Sequence, residues 1–164
     1  MNIFRLSNDP KEAAIMQHDR HIIKMILESA QMLSTACRVN GRYHPNIYNK
    51  THQNHPCTLW VTRSNLAFQW LVDHGMALCD EMEYRFGTIH KSKAVIQLCS
   101  EIRPKLPDVE IAVPLAMPDQ YKVKGDSVTS YRNFYLAEKM QMGYPMGTMS
   151  RWTKRNLPEW CNES

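Results

Sequence analysis

A chain of 164 residues, 43% hydrophobic and 22% charged, can bury one core without staples, and its composition argues against disorder except at the ends. No apolar run approaches the roughly 20 residues a membrane span needs, and the opening MNIFRLSNDP is too short and polar for a signal peptide. Five cysteines without a CxxC pair imply reduced thiols in a cytoplasmic compartment. The net charge of +4 is unevenly spread: Lys and Arg outnumber Asp and Glu eight to four over residues 1–63 and seven to four over 120–164, with an acidic excess between. Basic ends suit an anionic partner met by both ends of the chain, and scattered solvated charges explain them equally well.

The sequence predicts one mainly α-helical domain over 1–164, with long ordered loops and an irregular basic tail from about 143. After a short extended lead-in, Asp9-Pro10-Lys11-Glu12 reads as a helix start: Asp9 as N-cap, Pro10 at the first helical position, Glu12 reaching back as in a capping box. That helix is expected to run unbroken to about Cys37, ending at Asn40-Gly41. A polar loop follows through Pro56. A second helix is expected from near Ser64 to Phe86, closed by Gly87, and a third over Ser92–Ile102. Four prolines between Arg103 and Lys124 predict a long ordered loop with a short strand at Val109–Val113. Asp126 caps a further helix to about Met140, and the Arg151–Arg155 segment reads as a solvated tail.

In the first helix His21, Lys24, Glu28, Gln31 and Thr35 recur at steps of three or four. They form one polar stripe opposite an apolar arc of Ile15, Ile22, Ile26, Ala30 and Leu33, with Ile23 and Leu27 further round. An imidazole, an amine, a carboxylate, an amide and a hydroxyl can do acid–base chemistry or grip a polar substrate. Glu28 between Lys24 and His21 can activate water or steady a cationic sugar as a glycosidic bond breaks. The same pattern also describes a surface Lys24–Glu28 pair. His18 joins the stripe as a further candidate contact.

Lys50, His52, Asn54 and His55 offer donors suited to phosphate or base edges, or simply form a turn. His52, His55 and Cys57 as zinc ligands lack a paired CxxC or HExxH motif, so no metal site is assigned. Tyr131, Arg132, Tyr135 and Lys139 interleave rings with cations as unstacked bases and phosphates require, a pattern also produced by core packing. Asp119 and Tyr121 stand in the Pro-rich loop as secondary candidates.

Two stretches resemble the pyrimidine-dimer DNA glycosylases of the endonuclease V type. The first is MNIF followed by the helix carrying His21 and Glu28. The second is Asn54-His55-Pro56 leading to WLVDHGMALCDEMEYRFG. KMILESAQMLSTA and NHP are also similar to uncharacterised phage proteins. The resemblance covers about residues 1–90. It implies a compact helical fold that binds and kinks DNA and cleaves the N-glycosidic bond of a damaged pyrimidine. It assigns the key carboxylate to Glu28 and a supporting role at the DNA backbone to His21.

That family's nucleophile is the α-amine of a small second residue exposed after Met removal, whereas residue 2 here is Asn2, whose bulk should keep Met1 in place. The expectation is therefore that the Met1 amine is displaced from the site and that the enzyme uses water. DNA or a nucleotide is the expected substrate, without cofactor or membrane, in the cytoplasm (the host's, for a phage-encoded protein). The alternatives are an N-glycosidase or transferase on free nucleotides, and a non-catalytic phage module that binds or inhibits. An open groove, a closed pocket or a sealed Glu28 distinguishes the three.

Overall fold

The computed structural model describes residues 1–162. Asp9 Oδ1 accepts the Lys11 and Glu12 amides at 2.8 and 2.9 Å, starting α1 (Pro10–Ile15) where the sequence predicts. The capping box does not close. Glu12 accepts the Ser7 hydroxyl instead, and the Asp9 amide donates to Ser7 Oγ.

The predicted unbroken first helix is two helices. α1 stops at Ile15 and α2 (Asp19–Val39) restarts after His18, whose ring accepts the His21 amide as N-cap. The break is stabilised from a distance. Arg85, buried in α4 (Asn65–Phe86), donates to Ile15 O at 2.8 Å and Gln17 O at 3.0 Å, and pairs with Asp19 and Glu81. Helix-end carbonyls that would otherwise be buried without donors are satisfied by one guanidinium.

Helix α4 has the predicted bounds, with Ser64 as N-cap and Gly87 left-handed at φ 66°. An unpredicted helix, α3 (Pro56–Arg63), precedes it, with Pro56 in its first turn and the His55 ring as cap. α5 (Lys93–Glu101) lies against α2 and α4. At the α2–α4–α5 contact a Cβ on Gly75 would meet Ile96 Cδ1 at 3.0 Å and Ser29 Cβ at 3.4 Å, so a side chain here would fit only if Ile96 shifted by a few tenths of an ångström. The core gathers Ile22, Met25, Ile26 and Leu33 of α2 with Phe68, Leu71 and Leu78 of α4. Ile15, Ile23 and Leu27 are exposed. The other helices take α2 from its Ile22–Ile26 side, and the arc is narrower than the sequence suggests.

Among the described residues there is no strand. Around the expected strand Val109–Val113 the backbone is bonded to side chains instead: Ser64 Oγ donates to Val109 O and Trp60 Nε1 to Ile111 O. α6 (Ser127–Phe134), capped by Asp126, passes into a wider π turn at Tyr135–Lys139. The tail is not solvated as expected. Trp152 and Trp160 are buried, Trp152 Nε1 donates to Met16 O, Thr153 binds Asp19, and Arg155 pairs with Glu81.

Candidate active site

Glu28 lies midway along α2 and keeps 14% of its side chain exposed. Its Oε2 accepts the Asn2 backbone amide at 3.0 Å and stands 3.7 Å from the Met1 nitrogen. Oε1 lies 3.6 Å from Lys24 Nζ, and Lys24 is itself half exposed. A sealed carboxylate would resemble His21, at 1%. Glu28 is instead flanked on its own helix by exposed Lys24 and half-buried Gln31.

The expectation that the Met1 amine is displaced from this place does not hold. The Met1 side chain is 2% exposed and packs on the core, which leaves its nitrogen beside Glu28.

Asn2 shapes this first turn. Its Oδ1 accepts the Ile3 and Phe4 amides at 2.7 and 3.2 Å, and its Nδ2 donates to Ala116 O at 3.0 Å. Phe4 takes φ 40°, a region that non-glycine residues seldom enter. Its ring is wedged between His21, at 4.2 Å between centroids, and Tyr135, at 5.6 Å.

The 51–55 loop closes on the same place. Thr35 Oγ1 accepts the Thr51 amide at 3.1 Å and approaches Thr51 O at 3.2 Å, fixing the loop one turn beyond Gln31. His52, at φ 47°, and Asn54 are exposed on it. Burial lowers the His55 pKa, the positive Met1 amine and His52 lower it further, and Glu28 opposes them. Cys57 lies below, its thiol pushed up to about 12 by burial, and is no nucleophile. Among the described residues no three His, Cys, Asp or Glu side chains converge as a metal site.

Several predicted contact residues lie elsewhere. His21 is buried under Phe4, its Nδ1 bonded to the Tyr135 hydroxyl at 3.0 Å. Burial, with the nearby charges of His18, Lys24 and Lys139, pushes it well below the usual histidine range. A neutral, covered imidazole cannot meet a phosphate. His18 is spent as the α2 cap and on Lys139 O. Tyr131 and Tyr135 are core residues, fully buried, and stack on nothing outside the protein. Arg132 donates to Leu6 O and covers the Trp160 ring. Lys139 lies over Phe134, Tyr121 packs on Phe134, and exposed Asp119 pairs with Lys122.

The structure therefore brings Glu28, Lys24, Gln31 and His55 together with Met1, Asn2 and Thr51. The last three were not among the predicted site residues. The family resemblance points to an α-amine, and an asparagine at position 2, a side chain suited to turning the backbone on itself, is the signal the residues themselves carry for Asn2.

No curated protein and no solved structure gives a significant match. A family model described as pyrimidine dimer DNA glycosylase matches residues 1–94, more than half of the chain, which spans the first turn, α2 with Glu28, the 51–55 loop and α4. The chain belongs to the pyrimidine dimer DNA glycosylase family.

Proposed function

We propose that this protein is a DNA N-glycosylase acting on a damaged or modified pyrimidine, with Glu28 as its key carboxylate and the Met1 nitrogen as its nucleophile. The observation that carries this reading is the 3.7 Å approach of that nitrogen to Glu28. It replaces the water-using mechanism expected from Asn2, which required the amine to be elsewhere.

In the reaction the amine first gives up a proton, and Glu28 is the base within reach. The nitrogen lone pair then attacks C1′ of the sugar. The C1′–N1 bond breaks and its electron pair leaves with the pyrimidine, which is protonated. Loss of a proton from nitrogen and opening of the sugar ring give an imine, whose cationic form faces the Glu28 carboxylate. Removal of a C2′ proton from that iminium expels the 3′ phosphate and cuts the strand.

Lys24, one turn before Glu28 on α2, and Lys50, His52 and Asn54, exposed on the loop that Thr51 ties to α2, would hold phosphate. The target base leaves the stack at a cost of a few kcal/mol, least for a damaged pair.

The test is base release from duplexes carrying a panel of modified pyrimidines, with borohydride added in parallel. Release with a reduced protein–DNA cross-link at Met1, located by mass spectrometry, is expected. Release without any cross-link returns the mechanism to water. A cross-link at Lys24 moves the nucleophile.

A further inference from the structure

We infer that Asn2 is a positioning residue, whose carboxamide holds the Met1 nitrogen at Glu28 by tying the first turn of the chain to the Pro-rich loop. This rests on the reading of the Met1 nitrogen as nucleophile. Asn2 is 7% exposed, and its backbone N–H and both polar atoms of its side chain are bonded. The backbone amide binds Glu28, Oδ1 binds two successive amides, and Nδ2 reaches the Ala116 carbonyl, 114 residues away.

The two Oδ1 bonds fix the turn, and the Nδ2 bond to Ala116 O joins the backbone bond to Glu28 in fixing where the turn sits. Without the Nδ2 bond, the turn would still form but would be held to α2 by the single Glu28 bond and free to pivot on Phe4. The strained φ of Phe4 shows that the surroundings impose this path on the backbone. Ala116 lies outside the part of the chain that matches the family, so the support is a feature of this chain's own Pro-rich loop.

No other side chain of this size does all of it. Aspartate accepts but cannot donate to a carbonyl, leucine does neither, and glutamine is one methylene too long for the two amides beside it. A small residue would also remove the bulk that should keep Met1 in place, so alanine is an unsuitable probe.

The experiment compares wild type with Asn2→Leu and Asn2→Asp, each with Met1 retention verified by intact mass. Two readouts are used. The first is single-turnover base release and borohydride trapping. An ångström of misplacement costs about a hundredfold, so Asn2→Leu should lose about that in kcat and in trapping, with KM for DNA nearly unchanged and a loss of turnover well beyond what a fall of several degrees in melting temperature explains. Asn2→Asp, which keeps the acceptor for the Ile3 and Phe4 amides but turns a carboxylate oxygen toward Ala116 O, should lose roughly tenfold or more.

The second readout is independent of catalysis: the rate at which a limiting acylating reagent labels the Met1 nitrogen, followed by peptide mass spectrometry. Freeing the turn should raise that rate several-fold in Asn2→Leu. Unchanged labelling overturns the clamp whatever the activity. Turnover lost only in step with melting temperature also overturns it, since that marks a merely structural residue. Altered labelling in a protein that releases no base from any duplex upholds the clamp and refutes the glycosylase reading.

Discussion

Glu28→Gln separates the charge of this side chain from its shape. The amide oxygen can still accept the Asn2 backbone N–H, which lies 3.0 Å from the carboxylate, so the first turn should keep its anchor. What disappears is the negative charge facing the Met1 nitrogen at 3.7 Å. In the proposed reaction Glu28 takes the proton that frees the nitrogen and then faces the cation that attack creates, and glutamine does neither. Two unit charges at this separation interact by about 4 kcal/mol at an effective dielectric of 20. Partial solvent access and Lys24 lower this to roughly 2–4 kcal/mol, or about 30- to 1,000-fold in rate.

The folded state loses much less. The Lys24 pair contributes about 0.5 kcal/mol and the Met1 pair about 1 kcal/mol, for a fall of roughly 2–6 °C in melting temperature. Single-turnover base release, a binding titration and thermal melting measure the three quantities. Release within threefold of wild type would refute the assignment. A fall beyond about 10 °C with binding and turnover lost together would make Glu28 a structural residue.

Arg85→Ala strands the carbonyls at the α1–α2 break and leaves Asp19 short of its buried partner, which should cost about 3–5 kcal/mol and lower the melting temperature by about 10 °C or more. Lysine should not rescue it, because one ammonium cannot reach all four acceptors; a near-wild-type Arg85→Lys would refute that account. Acid should destabilise the fold through its buried histidines. Burial lowers His74 to about 4 against its Pro10 bond, so the unfolded chain, titrating near 6.5, binds the proton first. Stability is complete above about 6.5 and falls by about 3 kcal/mol as pH drops through 4, with His18 and His21 shifted the same way. A melting temperature flat from pH 7 to 4.5 would contradict this. In DNA binding, Lys24→Ala and Lys50→Ala should each reduce the log–log salt slope by about one, whereas Arg132→Ala, whose guanidinium is held by Leu6 O and Trp160, should lower stability and leave the slope alone. A flattened slope in Arg132→Ala would place that arginine on the DNA.

What was legible in the sequence is what local chemistry decides. Asp9, Ser64, Gly87 and Asp126 mark helix ends as expected because a cap is made within three or four residues of itself. The Lys24–Glu28 neighbourhood follows from helical periodicity alone. The break at Met16–His18 depends on Arg85, nearly seventy residues on, and nothing nearby announces it. α3 was missed because its cap is His55, outside the usual set, although Pro56 in the first turn was a usable sign. Periodicity placed His21 and Thr35 on the polar stripe correctly, but exposure is settled by partners. Phe4 and Tyr135 cover His21, and Thr51 covers Thr35. The same holds for Tyr131 and Tyr135, whose ring-and-cation pattern suits bases and cores alike, and whose hydroxyls end on Pro114 O and on the His18 amide.

The family match ends at residue 94, yet the turn that presents the Met1 nitrogen is held largely from beyond it. Phe4 packs on Phe134 and Tyr135, Asn2 reaches Ala116, and Trp152 with Thr153 secures the break from which α2 departs. The groups proposed to react thus belong to the matched half, while much of their support comes from the remainder. A carboxylate and an amine 3.7 Å apart are useful only if neither can move away. α2 fixes the carboxylate through its packing, but a chain end has no such rigidity of its own. Its position has to be supplied by tertiary contacts, and here Asn2, Phe4 and the buried Met1 side chain supply them. Asn2, the residue that weighed against an amine mechanism when only bulk at position 2 was considered, is in the folded chain one of the groups that keep the amine in place.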